Sequence, residues 1–203
     1  MAVKLVKPIN HKKVVKITNQ DFEAKMRELR VNSDIAVAVS GGPDSLALMH
    51  LSNRYALNNK FNLTVLSIDH GIRAESSKEI VWLKKVAKKN KINFYSTKLK
   101  KKINSSNTLS KARTLRYEAL SKYCNKKKIK FLLTAHHLDD EIENFLMRLI
   151  RGSGVKGLSS LKVKSRYKNT KLILVRPLLE YSKKSLIAYL SVQKHAYIHD
   201  RTN

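Results

Sequence analysis

Cysteine is almost missing from this sequence. Cys124 is the single one in 203 residues, so no disulfide framework can form within the chain. It stands in an apparent helix beside Lys126, Lys127 and Lys128 and reads as a structural or incidental thiol. Acidic residues are also scarce: 15 against 42 lysines and arginines, a formal net charge of +27. A chain this basic concentrates polyanions around it, and nucleic acid is the usual polyanion. Lysine far exceeds arginine and asparagine is frequent, which an AT-rich genome would also produce. Charge alone therefore leaves both readings open. Long apolar runs are absent too. Met1 to Lys16 holds five lysines and lacks the apolar stretch of a signal peptide, and no stretch approaches membrane-spanning length. The expectation is a protein of a reducing cytoplasm with no membrane partner.

What is present is an alternation of short apolar runs with amphipathic segments. Ile35 to Val39, Leu63 to Ile68, Ile92 to Tyr95, Lys130 to Thr134 and Leu172 to Val175 read as strands, being β-rich and too short for helices. Asp44 to Leu57, Glu75 to Asn90, Leu109 to Asn125 and Asp139 to Ile150 read as helices, and Gln20 to Arg30 as a short one before the first strand. Ile80, Leu83 and Ala87 share one helical face, as do Ala112, Leu115, Ala119 and Tyr123 in the next helix. Ile142, Phe145, Leu146 and Leu149 have the same spacing in the one after it. Ser182 looks like the cap of a last helix carrying Leu186, Ile187 and Leu190. Strand alternating with helix, with strands apolar throughout, predicts an α/β domain with a parallel sheet covered on both faces. Ligands in such folds bind beyond the carboxyl ends of the strands, where strand order reverses. Residues 1 to 16 read as a loose basic arm, Lys98 to Asn107 as a lysine-rich surface loop, and residues 151 to 170, with three glycines, as a mobile stretch.

The informative residues do follow strands. Ser40-Gly41-Gly42-Pro43-Asp44-Ser45 lies between the first strand and its helix. Glycines let that backbone turn tightly and approach a ligand, and N–H groups at a helix start make an anion site. Ser40 and Ser45 can add hydroxyl donors. A longer loop ending in Gly-Lys-Ser/Thr would be needed for a Walker A motif, and it is not here. After the second strand comes Asp69-His70-Gly71-Ile72-Arg73, where Arg73 could meet a phosphate or nucleotide. After a later strand comes Thr134-Ala135-His136-His137-Leu138-Asp139-Asp140-Glu141-Ile142-Glu143. The spacing of Asp139, Asp140 and Glu143 puts carboxylates on one helical face, as Mg²⁺ ligands beside phosphate would be. Acids also favour any first helical turn, so this segment alone has a bland reading as well.

The six-residue string resembles the SGGxDS signature of the PP-loop ATP pyrophosphatases. Among them, Asp69 to Arg73 resembles the D-H-G-[LI]-R string of the lysidine synthetases, and His136 to Glu143 their H-H-x-D-D-Q-x-E-T string. Glu141 stands where glutamine is usual, and Asn144 where threonine is. Ala112-Arg113 with Arg116-Tyr117, Arg151-Gly152-Ser153-Gly154 before Gly157-Leu158, and Arg176-Pro177-Leu178-Leu179 resemble three further family strings, in order over residues 34 to 200.

The resemblance implies a Rossmann-like, adenine nucleotide α-hydrolase-like domain over residues 31–203, preceded at 1–30 by a basic arm and short helix. It implies a ligase forming a carbon–nitrogen bond. ATP would adenylate the cytidine at the first anticodon position of a CAU-anticodon isoleucine tRNA, and free lysine would displace AMP to give lysidine. ATP and Mg²⁺ are the expected small ligands, and tRNA(Ile) and free L-lysine the expected partners. Ser40 to Ser45 would cradle ATP. Asp44, Asp139 and Asp140 are the metal candidates. Asp139, Asp140, His136, Arg113 and Arg73 are the catalytic candidates, and Asp139 or His136 the candidate base. Asp69, His70, Gly71, Arg116, Arg151 and Gly152 are candidate nucleotide or tRNA contacts. A PP-loop tRNA thiolase is the runner-up, disfavoured by the lone cysteine. A remnant that binds ATP or RNA without ligation is the rival of another class. Family members continue past this length with tRNA-recognition domains, absent after Asp200-Arg201-Thr202-Asn203. A separate polypeptide carrying them is left open, and the expectation is ATP binding with little lysidine formation by this chain alone.

Overall fold

The computed structural model describes residues 16–69, 76–98, 108–152 and 160–198. His70, Gly71, Arg73, the glycines at 154 and 157, most of the basic arm and of the 98–107 loop, and the last motif at 200–203 lie outside them.

Apolar runs become the middle of a sheet. β1 (Ile35–Ala38), β2 (Leu63–Asp69), β4 (Phe131–Leu133) and β6 (Ile173–Val175) pair in parallel, with β3 (Asn93–Lys98) parallel to β2 at one edge. The order is β3-β2-β1-β4-β6-β5. Registers are direct: Ile35 faces Leu63 on one side and Phe131 on the other.

Side chains alternate across the strands and feed two cores. Ile35 and Val37 join the larger core with Leu46, Met49, Leu83 and Leu186. That core packs α1 (Asn19–Glu28), α2 (Pro43–Asn59), α3 (Ser76–Lys89) and α6 (Lys183–Val192) on one face. Ala36 points the other way, to Leu66, Leu132 and α4 (Thr108–Lys126). Ser182 caps α6 as expected, its hydroxyl accepting the Ser185 N–H at 3.2 Å. No helix among the described residues is long and apolar enough to cross a membrane.

Three expectations are corrected. The sheet is not parallel throughout, because β5 (Lys164–Arg166) runs antiparallel to β6 at the edge. It forms within the stretch read as mobile. Its residues carry no apolar alternation, so backbone pairing alone makes it a strand. The buried side of α4 is Tyr117, Leu120, Ser121 and Cys124 rather than Ala112, Leu115, Ala119 and Tyr123. Tyr117 and Cys124 fill more space against the sheet than the alanines could. The third correction is α5 (Leu138–Ile150), which buries none of its residues.

Helices here often end on lysine in the left-handed region, where glycine is usual. Lys60, Lys91, Lys128 and Lys194 have φ between 54° and 57°. With six glycines in the chain, the turns are made by residues that adopt the region at a cost.

Candidate active site

β1 and β4 are neighbours, but β1 continues outward through β2 and β3 while β4 continues through β6. This is where strand order reverses, and both strands end in the segments singled out above.

After β1 the backbone turns at Gly41, whose φ is +101°, and enters α2 with Gly42 as cap and Pro43 in the first turn. A Cβ on Gly41 would sit 2.7 Å from Ile198 Cδ1. Ile198 also donates its N–H to the Gly41 carbonyl at 3.0 Å, so a segment from the far end of the described chain straps the loop from behind. Ser45 is a brace rather than an outward-facing donor. Its hydroxyl accepts the N–H groups of Ser40 and Gly41, each at 3.2 Å, and donates to the Gly42 carbonyl at 3.0 Å. The N–H groups of Asp44 and Ser45, in the first turn of α2, have no helical acceptors, which is the arrangement an anion site needs.

After β4, His137 caps α5. Its N–H donates to Asp140 Oδ2 at 2.9 Å, and Asp140 donates its N–H to His137 Nδ1 at 3.4 Å. His137 Nε2 lies 3.4 Å from Asp44 Oδ2, which ties the two loops together across the switch point. Burial by itself lowers the pKa of His137. The hydrogen bond to Asp44 and the charges of Asp140, Asp44 and Asp139 outweigh it and hold the pKa above the ordinary 6.5.

His136 goes the other way. Burial, then the charges of Arg113, Arg176 and Arg116, push it down to about 3. Arg113 lies 3.2 Å from its Nε2, and Thr134 Oγ1 2.9 Å from its Nδ1. A guanidinium can only donate, so Nε2 accepts and the proton sits on Nδ1. With both nitrogens engaged, His136 holds Arg113 in place and is not an open base. Arg176, buried after β6, donates to the Lys162 carbonyl at 2.7 Å.

These groups surround a cleft of about 1190 Å³. Of the residues picked from sequence, Ser40, Gly42, Pro43, Asp44, Ser45, Arg113, Arg116, His136, Asp140 and Arg151 line it. Gly41 lies behind the loop, and Gly152 ends α5 with φ +67°. Asp69 closes β2 opposite Lys98. Asp139 faces α6, where its carboxylate accepts the Lys183 N–H at 2.6 Å. The cleft also takes Glu143, which the sequence places on one helical face with Asp140, and Glu79, Arg148, Lys183 and Tyr197, which sequence reasoning did not assign. Glu143 carried a signal in its spacing from Asp140; Lys183 and Tyr197 arrive through long-range packing that no local pattern announces.

The residues suit a hard cation shared with phosphate. Asp44 Oδ1 is buried without a hydrogen-bond partner, an open carboxylate oxygen at the start of α2. Among the described residues no group of three or more His, Cys, Asp or Glu could hold a metal alone. Mg²⁺ commonly uses one or two carboxylates and takes its other ligands from phosphate and water.

A glycine turn feeding a helix start, set at the switch point of a parallel sheet, defines a phosphate-binding α/β domain. The chain belongs to the PP-loop domain family, which matches residues 11–203. It is similar to the tRNA(Ile)-lysidine synthase of Rickettsia bellii (strain OSU 85-389), 44% identical over 171 residues, covering 84% of this chain and 39% of that protein. The tRNA(Ile)-lysidine synthase of Wolbachia pipientis wMel is 41% identical over 175 residues, covering 85% of this chain and 40% of that protein. The chain thus spans about two fifths of the length of these curated relatives. Among solved structures, the U34-tRNA thiolase NcsA from Methanococcus maripaludis, described with its [4Fe-4S] cluster, superposes with a TM-score of 0.72. It is 23% identical, covering 88% of this chain and 65% of that one. A phosphoadenylyl-sulfate reductase from Candida auris, in its phosphate complex, superposes with a TM-score of 0.56 at 13% identity, covering 87% of this chain and 81% of that one. These two likenesses concern the fold alone.

Proposed function

We propose that this domain binds ATP in the cleft and carries the catalytic residues for lysidine formation on tRNA(Ile). The observation that carries the reading is the joining of two loops across the switch point. Asp44, at the head of α2, meets His137 of the second loop, and His137 is bonded in turn to Asp140. The lysidine synthase relatives, similar over most of this chain, support the choice of reaction.

Residue roles follow from placement. The first turn of α2 receives the ATP phosphates. Arg113, oriented by His136, and Arg116, beside it on α4, supply positive charge where pyrophosphate leaves. Asp140 and Glu143 put carboxylates on the cleft side of α5. They suit the ammonium groups of lysine, and either can take the proton that the amine must lose before attack. Mg²⁺, when bound, would shield phosphate charge, and Asp44 and Asp140 are the residues that would hold it. Sulfur transfer is disfavoured because Cys124 is buried in the second core, where burial pushes its thiol up to about 12.

The test is incubation with ATP, Mg²⁺, tRNA(Ile) and labelled lysine, followed by nucleoside analysis. Pyrophosphate release and labelled lysidine are expected from the chain together with the remainder of a relative's length. Asp44→Ala should abolish pyrophosphate release while the circular dichroism spectrum is kept. Full release by the folded variant would overturn the assignment of Asp44. ATP binding with no lysidine under every supplement would leave the non-ligating reading in its place.

A further inference from the structure

Lys183 stands where physical chemistry disfavours a cation. It is the first residue of α6, whose first turn holds no acid. A helix N-terminus already carries partial positive charge, so an ammonium there is repelled. Partial burial adds a desolvation cost. Lys183 is half-buried and lines the cleft, yet its ammonium has no ion pair with a carboxylate among the described residues. Nothing in the fold offsets these costs, and a local rule broken without compensation is the mark of a functional position. The residue is held in place all the same. Asp139 Oδ2 accepts the Lys183 N–H at 2.6 Å and lies 3.6 Å from His137 Nδ1, while His137 Nε2 lies 3.4 Å from Asp44 Oδ2. Asp139 and His137 thus tie the head of α6 to the head of α2, and the two helices pack along each other. Ile187, one turn further along α6, lines the same cleft.

We propose, on the reading of the cleft as an ATP site, that the Lys183 ammonium holds the β- and γ-phosphates of ATP and stabilises pyrophosphate as it leaves. The open N–H groups at the head of α2 already suit one phosphate. An unpaired ammonium on the neighbouring helix head adds a full positive charge, which suits a ligand more anionic than one phosphate or one carboxylate. The charge also falls where the reaction needs it. As the bond between the target base and the α-phosphorus forms, the bond from that phosphorus to its bridging oxygen breaks, and the electron pair goes to pyrophosphate. The new negative charge rests on that oxygen, and an ammonium beside it lowers its energy while keeping all of its own protons. AMP, which leaves in the second step, lacks these phosphates, so Lys183 acts in the first step alone.

The experiment is calorimetric titration of the 203-residue chain, in Mg²⁺, with ATP, pyrophosphate, AMP, lysine and tRNA(Ile) in turn. Wild type, Lys183→Met and Lys183→Arg are compared, with circular dichroism and thermal unfolding on each. Lys183→Met should bind ATP and pyrophosphate about tenfold more weakly and AMP as the wild type does. Lys183→Arg should keep most of the affinity for ATP. Since the charge opposes the helix dipole, Lys183→Met should unfold at no lower a temperature than the wild type. A folded Lys183→Met with undiminished affinity for ATP and pyrophosphate overturns the proposal. So does an equal loss for AMP, a loss confined to tRNA or lysine, or a variant that melts well below the wild type, which would make the side chain structural. A wild type that binds no ATP overturns the ATP-site reading itself, and the proposal with it, before any substitution is made.

Discussion

Adjacent histidines here have opposite electrostatic settings, because one faces carboxylates and the other guanidinium groups. A third, His50 on α2, stacks on His195 with ring centroids 3.5 Å apart, and burial, followed by the charge of His195, lowers it to about 4. The unfolded chain takes up these protons near pH 6.5, while folded His50 and His136 resist them to about 4 and about 3. Between those values the unfolded state binds more protons, so stability falls as pH drops. His137 has a raised pKa, so its contribution is full below 6.5 and is lost as pH rises through its folded value. His50→Phe keeps the stack and removes one acid-sensitive group. It should flatten the loss of stability between pH 6.5 and 4 by about 2 kcal/mol, allowing for the part of the ring that water reaches. Urea unfolding at several pH values checks this, and an unchanged slope would contradict it. At Gly41 the issue is space and backbone together. Gly41→Ala should destabilise by about 2 kcal/mol or more and weaken ATP binding. Adding Ile198→Ala should recover only part, since it removes the clash and leaves the strained φ.

At the scale of elements, the lysines that end helices offer a direct test. Lys60→Gly, Lys91→Gly and Lys128→Gly should each stabilise by about 0.5–1 kcal/mol, because glycine adopts the left-handed region without strain. Each lysine ends a different helix and no hydrogen bond or ion pair joins any two of them, so the effects should add, and thermal unfolding of the triple variant should show it. Destabilisation would mean that the lysine side chains contribute more than their backbone strain costs. Elements are also where the sequence could and could not be read. Strands such as Ile35–Ala38 and Phe131–Leu133 announce themselves, since only a doubly covered strand is so short and so apolar. Ser182 was legible as a cap because capping is local chemistry. β5 was not, since Lys-Ser-Arg has no side-chain pattern and depends on a partner strand. The period of α5 was legible, but periodicity tells which residues share a face and not which way it turns. The site divides similarly. The loop at Ser40 to Ser45 was readable from strand, turn and helix in succession. That Ser45 faces inward, that Asp139 serves α6 and that His136 holds Arg113 all depend on neighbours distant in sequence.

For the whole molecule, the net charge of +27 should show in binding to tRNA. If about five phosphates are contacted, affinity should fall by roughly two to three decades between about 50 and 200 mM salt, through counterion release. Filter binding across that range measures the slope. A flat response would leave base composition as the source of the lysines. Discrimination among tRNAs should be weak for this domain, because phosphate contacts position a nucleic acid without reading its bases.

The strap between Ile198 and Gly41 carries a consequence for biosynthesis. β1 and the loop at Gly41 leave the ribosome together, and β2 and β3 follow them. The other flank of β1 stays open until β4 is made, and the carbonyl of Gly41 has no donor until residue 198 emerges. A nascent chain can therefore hold half of the sheet and still lack a finished phosphate loop. The loop is therefore finished only when residue 198 has been made, long after its own residues, by a strap that arrives from the other side of the fold.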